Sequence, residues 1–141
     1  MKLRKTIRYD GAYKGICFEI HDNEPPLSWT YYIRIKPSDI QNKDLAQEIW
    51  LKAEPLGSGF GRKHYDYYSI DLLSNLDFHG GITFYKKEYS VEGQRVVKIG
   101  CDYNHDFDQE RNYTLENIVS DVKRTIEDFH SKVDYGGEEN D

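Results

Sequence analysis

Two short histidine-containing segments have the residue types of a ligand or metal site. Residues 78–83 read FHGGIT, and residues 100–106 read GCDYNHD. Histidine changes its protonation near neutral pH and is a common metal ligand, and paired glycines allow the backbone to approach a ligand closely. Each segment adjoins a run that is typical of a β-strand. We therefore expect the two segments to meet at one end of a sheet.

The first segment permits two interpretations. His79, Gly80 and Gly81 could expose backbone N–H groups that bind an anion, since glycines can adopt the positive φ angles that such sites need. The same three residues could instead form a tight turn into the strand predicted to begin at Ile82. The sequence leaves both interpretations open.

The second segment could join the first in holding a metal ion. His79, Asp102 and His105 would supply two imidazoles and a carboxylate and leave a coordination position open. A water bound there would be the nucleophile for a phosphoester. An EF-hand is excluded, because Phe107 and Tyr113 stand where that calcium loop needs Gly and Glu. The alternative is a polar loop in which the carboxylates cap turns.

A glycine-rich loop at residues 57–68 has the composition of a nucleotide clamp. It combines three glycines with cations and tyrosines, so backbone amides and arginine could bind phosphate while a tyrosine stacks on a base. It lacks the Gly-Lys-Ser/Thr ending of a P-loop. The alternative is a surface loop with aromatic anchors. The candidate ligand-binding residues are Gly59, Gly61, Arg62, Lys63, Tyr65, Tyr67, His79, Gly80 and His105.

Periodicity predicts several strands. The first ten or so residues are basic and show no clear period, so no element is predicted there. Strands are predicted at residues 15–20 and 29–36, where aromatic and β-branched residues are frequent. Residues 82–90 and 95–102 form two more, and the short connection between them contains a glycine and is suited to a hairpin.

Two helices are also predicted. A short one follows Pro37 and ends before Pro55. A long one begins after Thr114, a good N-cap residue, and ends near Gly136. Its apolar residues recur at helical spacing and predict a stripe packed on the sheet. These residues are Leu115, Ile118, Val119, Val122, Ile126, Phe129 and Val133.

These elements predict an α+β fold, with an antiparallel-rich sheet and the long C-terminal helix packed on one face. At 141 residues the chain has the length of one domain, assigned to residues 1–133. Residues 134–141 form an acidic tail that we expect to be disordered. The tail carries four of the acidic residues, so the remainder has a net charge of only −2 out of −6. No basic stripe is present, which argues against direct nucleic-acid binding.

The cysteines and hydropathy indicate where the chain resides. Two cysteines are too few for a disulfide framework, and no apolar run approaches the length of a membrane span. We therefore expect a cytoplasmic protein with reduced thiols. Twelve tyrosines are unusual for this length, and tyrosine suits half-buried sheet faces, protein interfaces and ligand walls.

The two histidine segments also resemble a family of small uncharacterised bacteriophage proteins. Its members have a His-Gly-Gly-Leu-Thr strand followed by a strand that ends in Gly-x-Asp-x-x-His. The matching segments here are residues 79–83 and 100–105, although residues 96–98 lack the aromatic run of the family. The resemblance implies a phage accessory gene whose product acts in the bacterial host cytoplasm, and such genes commonly antagonise host defence.

Three functions follow as hypotheses. The first is a noncatalytic protein that antagonises host defence by binding a small phosphorylated, nucleotide-like ligand. The second is a protein–protein inhibitor of a bacterial defence protein, consistent with the tyrosine content. The third is a phosphoesterase that depends on a divalent metal bound by His79, Asp102 and His105. No other cofactor is predicted, and the sequence leaves the oligomeric state open.

Overall fold

A computed structural model of the protein describes residues 6–23, 29–52, 75–103 and 112–136. These ranges contain five strands and two α-helices, together with a 3₁₀ turn at Pro37–Asp39. In chain order the elements are β1 (Thr6–Tyr13), β2 (Ile16–Asn23), β3 (Trp29–Ile35), α1 (Lys43–Lys52), β4 (Phe84–Tyr89), β5 (Arg95–Asp102) and α2 (Leu115–Lys132). No helix in these ranges is long and apolar enough to cross a membrane.

The five strands form one antiparallel sheet in the order β1-β2-β3-β5-β4. This arrangement confirms the predicted α+β fold with an antiparallel sheet. The predicted hairpin of β4 and β5 is confirmed as well, with Phe84 opposite Gly100 and Tyr85 opposite Ile99. Thr83 continues the pairing beyond the strand end, because its N–H donates to the Gly100 carbonyl at 2.9 Å.

The two faces of the sheet differ in chemistry because successive side chains of a strand point to opposite faces. One face is apolar and supports α2. It carries Ile16, Phe18, Ile20, Tyr31, Ile33, Ile35, Tyr85, Val97, Ile99 and Cys101, all buried. The other face carries charged and aromatic residues, and no element of the described ranges lies over it. We call it the open face.

Helix α2 begins where the sequence predicts. The Thr114 hydroxyl accepts from the Asn117 N–H at 3.2 Å, and the Asn117 side chain accepts from the Thr114 N–H at 3.0 Å, which together form a capping box. The predicted stripe packs on the apolar face, and Ile118, Val122, Ile126 and Phe129 are fully buried. The prediction of a long helix on one face of the sheet is therefore confirmed.

The N-terminal strand is where the structure departs most from the sequence pattern. No element was expected in the first ten residues, yet β1 runs from Thr6 to Tyr13 and pairs with β2 over its whole length. The alternation of apolar and polar residues along β1 is interrupted at Gly11, a position that leaves no room for a side chain. A Cβ atom at that position would lie 2.5 Å from the ring of Phe18 on β2.

The chain that follows α2 packs against the domain as far as Gly136. Tyr135 pairs with Ile40, its hydroxyl accepts from the Lys36 N–H at 2.8 Å, and the Gly136 N–H donates to the Asp39 carbonyl at 2.8 Å. The acidic tail was predicted to begin at residue 134. Its first three residues are thus ordered against the 3₁₀ turn, and residues 137–141 lie outside the described ranges.

Candidate functional site

Most of the predicted clamp falls outside the described part of the chain. The glycine-rich loop at 57–68 lies there entirely, as does the second histidine of the proposed metal site. The convergence of His79 with His105 therefore stays a prediction, whereas the described parts of the two segments do meet, since Thr83 bonds to Gly100 and the ring of His79 lies on that of Tyr103. The residues concerned are Gly59, Gly61, Arg62, Lys63, Tyr65, Tyr67 and His105.

His79 lies on the helix side of the sheet end. Its ring stacks on that of Tyr103, with centroids 3.8 Å apart and planes 16° from parallel. Its N–H donates to the Tyr31 hydroxyl at 3.3 Å. Gly80 and Gly81 follow with φ angles of 69° and 95°, and the Gly81 N–H donates to the Phe78 carbonyl at 3.0 Å. The paired glycines thus form a tight turn that leads towards β4.

Asp102 points the other way. Its position at the end of β5 is opposite Thr30 on the open face, and its carboxylate accepts from the Thr83 hydroxyl at 3.3 Å. The next residue, Tyr103, faces α2 and donates to Asp121 at 2.5 Å. The side chains of His79 and Asp102 therefore leave the chain on different faces of the sheet. Within the described ranges, no three His, Cys, Asp or Glu residues are grouped to hold a metal ion.

The open face has an unusual feature at its centre, a fully buried glutamate. The side chain of Glu19 on β2 is 0% exposed although no element covers this face in the described ranges. Cationic side chains cover it instead. Its Oε2 contacts Arg34 and lies 3.3 Å from Lys98 Nζ and 3.6 Å from Arg8 Nη2. His21 Nε2 lies 2.9 Å from Oε1.

These partners keep Glu19 ionised. Burial alone would raise the pKa of its carboxyl group, because the charged form is less well solvated. The hydrogen bond from His21 and the charges of Lys98 and Arg34 outweigh burial, so the pKa lies below its ordinary value. A buried carboxylate is retained only when it is paired in this way. Glu19 therefore acts as a fixed negative charge that holds three cations on the open face.

Two further carboxylates complete the cluster. Glu88 lies 3.4 Å from Arg34 Nε and 3.9 Å from Lys98 Nζ, and Asp10 accepts from Arg8 Nε at 2.8 Å. Asp10 lies at the surface, with 60% of its side chain exposed, whereas the Glu88 side chain is only 25% exposed. The contacts of Glu88 are longer than those of Glu19, so an incoming anion could replace Glu88 at Arg34 and Lys98 more easily than it could replace Glu19.

Aromatic rings lie beside the cations. The ring of Tyr32 lies against Gly100, where a Cβ atom would be only 2.2 Å from its Cδ1. Phe84 and His21 meet Tyr32 edge to face at 5.0 and 5.3 Å between centroids. Lys98 Nζ lies 4.6 Å from the Tyr32 centroid, a distance typical of a cation–π contact. The glycine at position 100 thus allows a large ring to lie across the centre of the open face.

This arrangement joins guanidinium and ammonium donors to aromatic surfaces, a combination suited to a ligand with an anionic group and a ring. The sequence did not single out this cluster, because its members come from separate strands. A signal was present: Glu19, Arg34 and Lys98 each occupy a polar position of a predicted strand. Only the strand order, with β2, β3 and β5 adjacent, brings them together.

Comparison of the chain with known proteins finds no matching family model, no similar curated protein and no similar solved structure.

Proposed function

We propose that the protein binds a small phosphorylated, nucleotide-like ligand on the open face of its sheet, without catalysis. The observation that carries this proposal is the buried carboxylate of Glu19 beneath Arg34, Lys98 and Arg8. A domain gains little stability from a buried charge cluster of this kind. Its placement on a face that no described element covers favours a role in binding.

The phosphate would bind to Arg34 and Lys98. Glu19 holds both cations from below, so their remaining N–H donors are directed away from the sheet. The Arg34 side chain is 31% exposed and that of Lys98 is 15% exposed, so both are partly accessible and partly ordered. Arginine donors match the geometry of phosphate oxygens, and hydrogen bonds to charged groups are about twice as strong as neutral ones. The ligand phosphate would replace Glu88.

The ring of the ligand would lie on the aromatic side of the same cluster. Phe84 and His21 flank Tyr32, and all three side chains are partly exposed. Stacking of a base on an aromatic side chain contributes about 1–3 kcal/mol and tolerates different bases. Burial raises the pKa of Tyr32, so its ring stays a neutral phenol at physiological pH. Phosphate and ring could therefore be bound together across the open face, by residues of β2, β3, β5 and β4.

Calorimetric titration tests the proposal. The titrants are inorganic phosphate, nucleoside mono- and diphosphates, and cyclic nucleotides, each with the unmodified protein and with Arg34→Gln and Lys98→Gln. We expect a nucleotide to bind more tightly than inorganic phosphate. We expect each substitution to weaken that binding about tenfold or more, since a charged hydrogen bond contributes about 1.5–3 kcal/mol.

A matched control removes the same charge elsewhere. Lys123 lies on α2, on the helix side of the sheet, over the ring of Tyr13, so Lys123→Gln should leave binding unchanged. Circular dichroism at the titration temperature establishes that each variant is folded. If no titrant binds, or if Arg34→Gln and Lys98→Gln bind as tightly as Lys123→Gln, the proposal is wrong.

Ligand binding would also give the protein a biological role. The resemblance to phage proteins leads us to propose that it sequesters a phosphorylated signal in the bacterial host cytoplasm and so antagonises host defence. Inhibition of a defence protein by direct contact, and metal-dependent phosphoester hydrolysis, stay predictions of the sequence. No contact in the described ranges favours either one over ligand binding.

A further inference from the structure

The outer edge of β1 offers a long surface for main-chain pairing. Strand β1 pairs with β2 without interruption, from Thr6 opposite Asn23 to Tyr13 opposite Ile16. Within the described ranges no strand pairs with its other edge. Exposed edges are usually protected by charged side chains, lysine above all, by proline, by a bulge or by a short strand. The eight residues of β1, TIRYDGAY, contain neither proline nor lysine and form no bulge against β2, and their two charged residues, Arg8 and Asp10, have opposite signs and pair with each other.

We propose that a second copy of the chain pairs with this edge, β1 against β1 in antiparallel orientation, to form a two-fold symmetric dimer. A two-fold axis perpendicular to the sheet is the operation that makes two identical edges adjacent and antiparallel. It keeps the open faces of both copies on the same side. Side chains alternate between the two faces along a strand, and residues opposite each other must lie on the same face. An odd-numbered residue can therefore face only an odd-numbered residue of the second copy, and an even-numbered residue only an even-numbered one.

Charge favours one register among those allowed. If Arg8 faced itself across the axis, or if Asp10 faced itself, like charges would lie directly opposite, which is destabilising. With Tyr9 on the axis, each Arg8 faces Asp10 of the second copy. In one chain these two side chains already pair, with Arg8 Nε 2.8 Å from Asp10 Oδ1, and both are more than half exposed. Two arginines and two aspartates, one of each from either copy, would therefore lie around the axis, with each arginine beside an aspartate.

The apolar side chains favour the same register. Tyr9 would lie beside Tyr9 of the second copy on the helix side, and aromatic cross-strand pairs are stabilising. Ile7, which is 51% exposed, would lie opposite Gly11 of the second copy. The Phe18 ring fills the space over that glycine, so Ile7 would gain an apolar neighbour. The exposed side chain of Ile7 in one copy would thus pack beside Gly11 and the Phe18 ring of the other.

Pairing in this register would join two five-stranded sheets into one continuous sheet and would leave no β1 edge exposed. The two open faces would then lie side by side. This inference does not depend on ligand binding, because the proposed phosphate donors Arg34 and Lys98 lie on β3 and β5, away from the edge. Arg8 belongs to both the edge and the Glu19 cluster, and Asp10→Arg leaves it in place.

Charge reversal tests the dimer, with light scattering after size-exclusion chromatography and with sedimentation as the measurements. We expect the unmodified protein to be a dimer that dissociates on dilution. Asp10→Arg should raise the dimer dissociation constant about tenfold or more, because two opposite-charge pairs become like-charge pairs. The fold should tolerate this change, since residue 10 lies opposite Glu19. The double variant Arg8→Asp/Asp10→Arg should restore the dimer.

Cross-linking tests the register. Residues directly opposite in an antiparallel pair have Cα atoms about 4.5–5.5 Å apart, within the range of a disulfide. In a Cys17→Ser background, which removes the exposed native thiol, Tyr9→Cys should form an intermolecular disulfide under mild oxidation. Ile7→Cys is the matched control and should not, since it would face Gly11.

Three outcomes would overturn the proposal. The first is an unmodified protein that stays monomeric at every concentration. The second is a dimer that Asp10→Arg leaves equally tight, which would place the interface elsewhere. The third is cross-linking of Ile7→Cys as efficient as that of Tyr9→Cys, which would exclude the register.

Discussion

Glu19 is the residue on which the open face depends. Replacing it by glutamine keeps the shape and removes the charge, leaving Arg34 and Lys98 without their buried partner. We expect Glu19→Gln to lower the free energy of unfolding at neutral pH by about 1–3 kcal/mol, because the cations are partly exposed and can be hydrated instead. Glu88→Gln is the matched control. It removes a half-buried partner of the same two cations at the longer distances of 3.4 and 3.9 Å and should therefore cost less than Glu19→Gln.

The same substitution has a pH signature. The pKa of Glu19 is lowered in the folded protein, so its ionised form stabilises the fold above the unfolded pKa of about 4.3. This stabilisation is lost as pH falls through the folded pKa, which lies lower. Urea unfolding across this acid range should show the difference between the unmodified protein and Glu19→Gln shrinking as pH falls. A difference that stayed constant would show that the pKa of Glu19 is the same in the folded and unfolded protein, which would contradict the ion pairs assigned to it.

At this scale the sequence predicted little of the site. Glu19 looks like an ordinary polar residue of a strand, because its burial is created by side chains from β3 and β5. Gly11 looks like a loop residue for a related reason. The ring that requires it belongs to Phe18 on the neighbouring strand. Both residues are determined by contacts between strands, which local patterns do not contain.

At the scale of elements, one buried hydroxyl connects α2, the His79 turn and β3. Thr125 Oγ1 donates to the Asp77 carbonyl at 2.5 Å and lies 2.8 Å from the hydroxyl of Tyr31. The Tyr31 hydroxyl in turn accepts from the His79 N–H. We expect Thr125→Val, which preserves shape, to lower the free energy of unfolding by about 1–3 kcal/mol because buried polar groups lose a partner.

Chemical denaturation measures this effect. The denaturant concentration at the midpoint of unfolding should fall. The slope of the free energy of unfolding against denaturant concentration should stay unchanged, as expected when only stability is altered. Ser131→Ala on the same helix is the control. Its hydroxyl donates to the Asp128 carbonyl at an exposed position, so its loss should change stability by less than about 0.5 kcal/mol. Equal effects of the two substitutions would contradict the role assigned to Thr125.

Elements with strong local signals were predictable. The apolar residues of α2 recur at helical spacing after an N-cap, and the β4–β5 hairpin has a Gly-containing connection of the expected length. Strand β1 was not predictable, since Gly11 interrupts its alternation and most of its residues are exposed. The tight turn after His79 was one of the two interpretations that the paired glycines allowed.

At the scale of the whole molecule, a single sheet supports a helix on one face and a charge cluster on the other. Strands β3 and β5 are paired on both sides and lie in the middle of the sheet, whereas β1 and β4 form its edges. Edge strands open more easily than central ones, so local stability should fall from the centre outwards. The proposed dimer would change this gradient at one edge only.

Amide hydrogen exchange measures the gradient directly. We expect the slowest exchange in β3 and β5 and faster exchange in β4. In the dimer, β1 amides that point away from β2 should be protected, because they would donate to the second copy. Asp10→Arg should remove this protection without accelerating exchange in β3, since it weakens the contact between copies and leaves the fold intact. If the β1 amides exchange equally fast in both proteins, the outer edge of β1 is exposed to solvent and the sheet ends there.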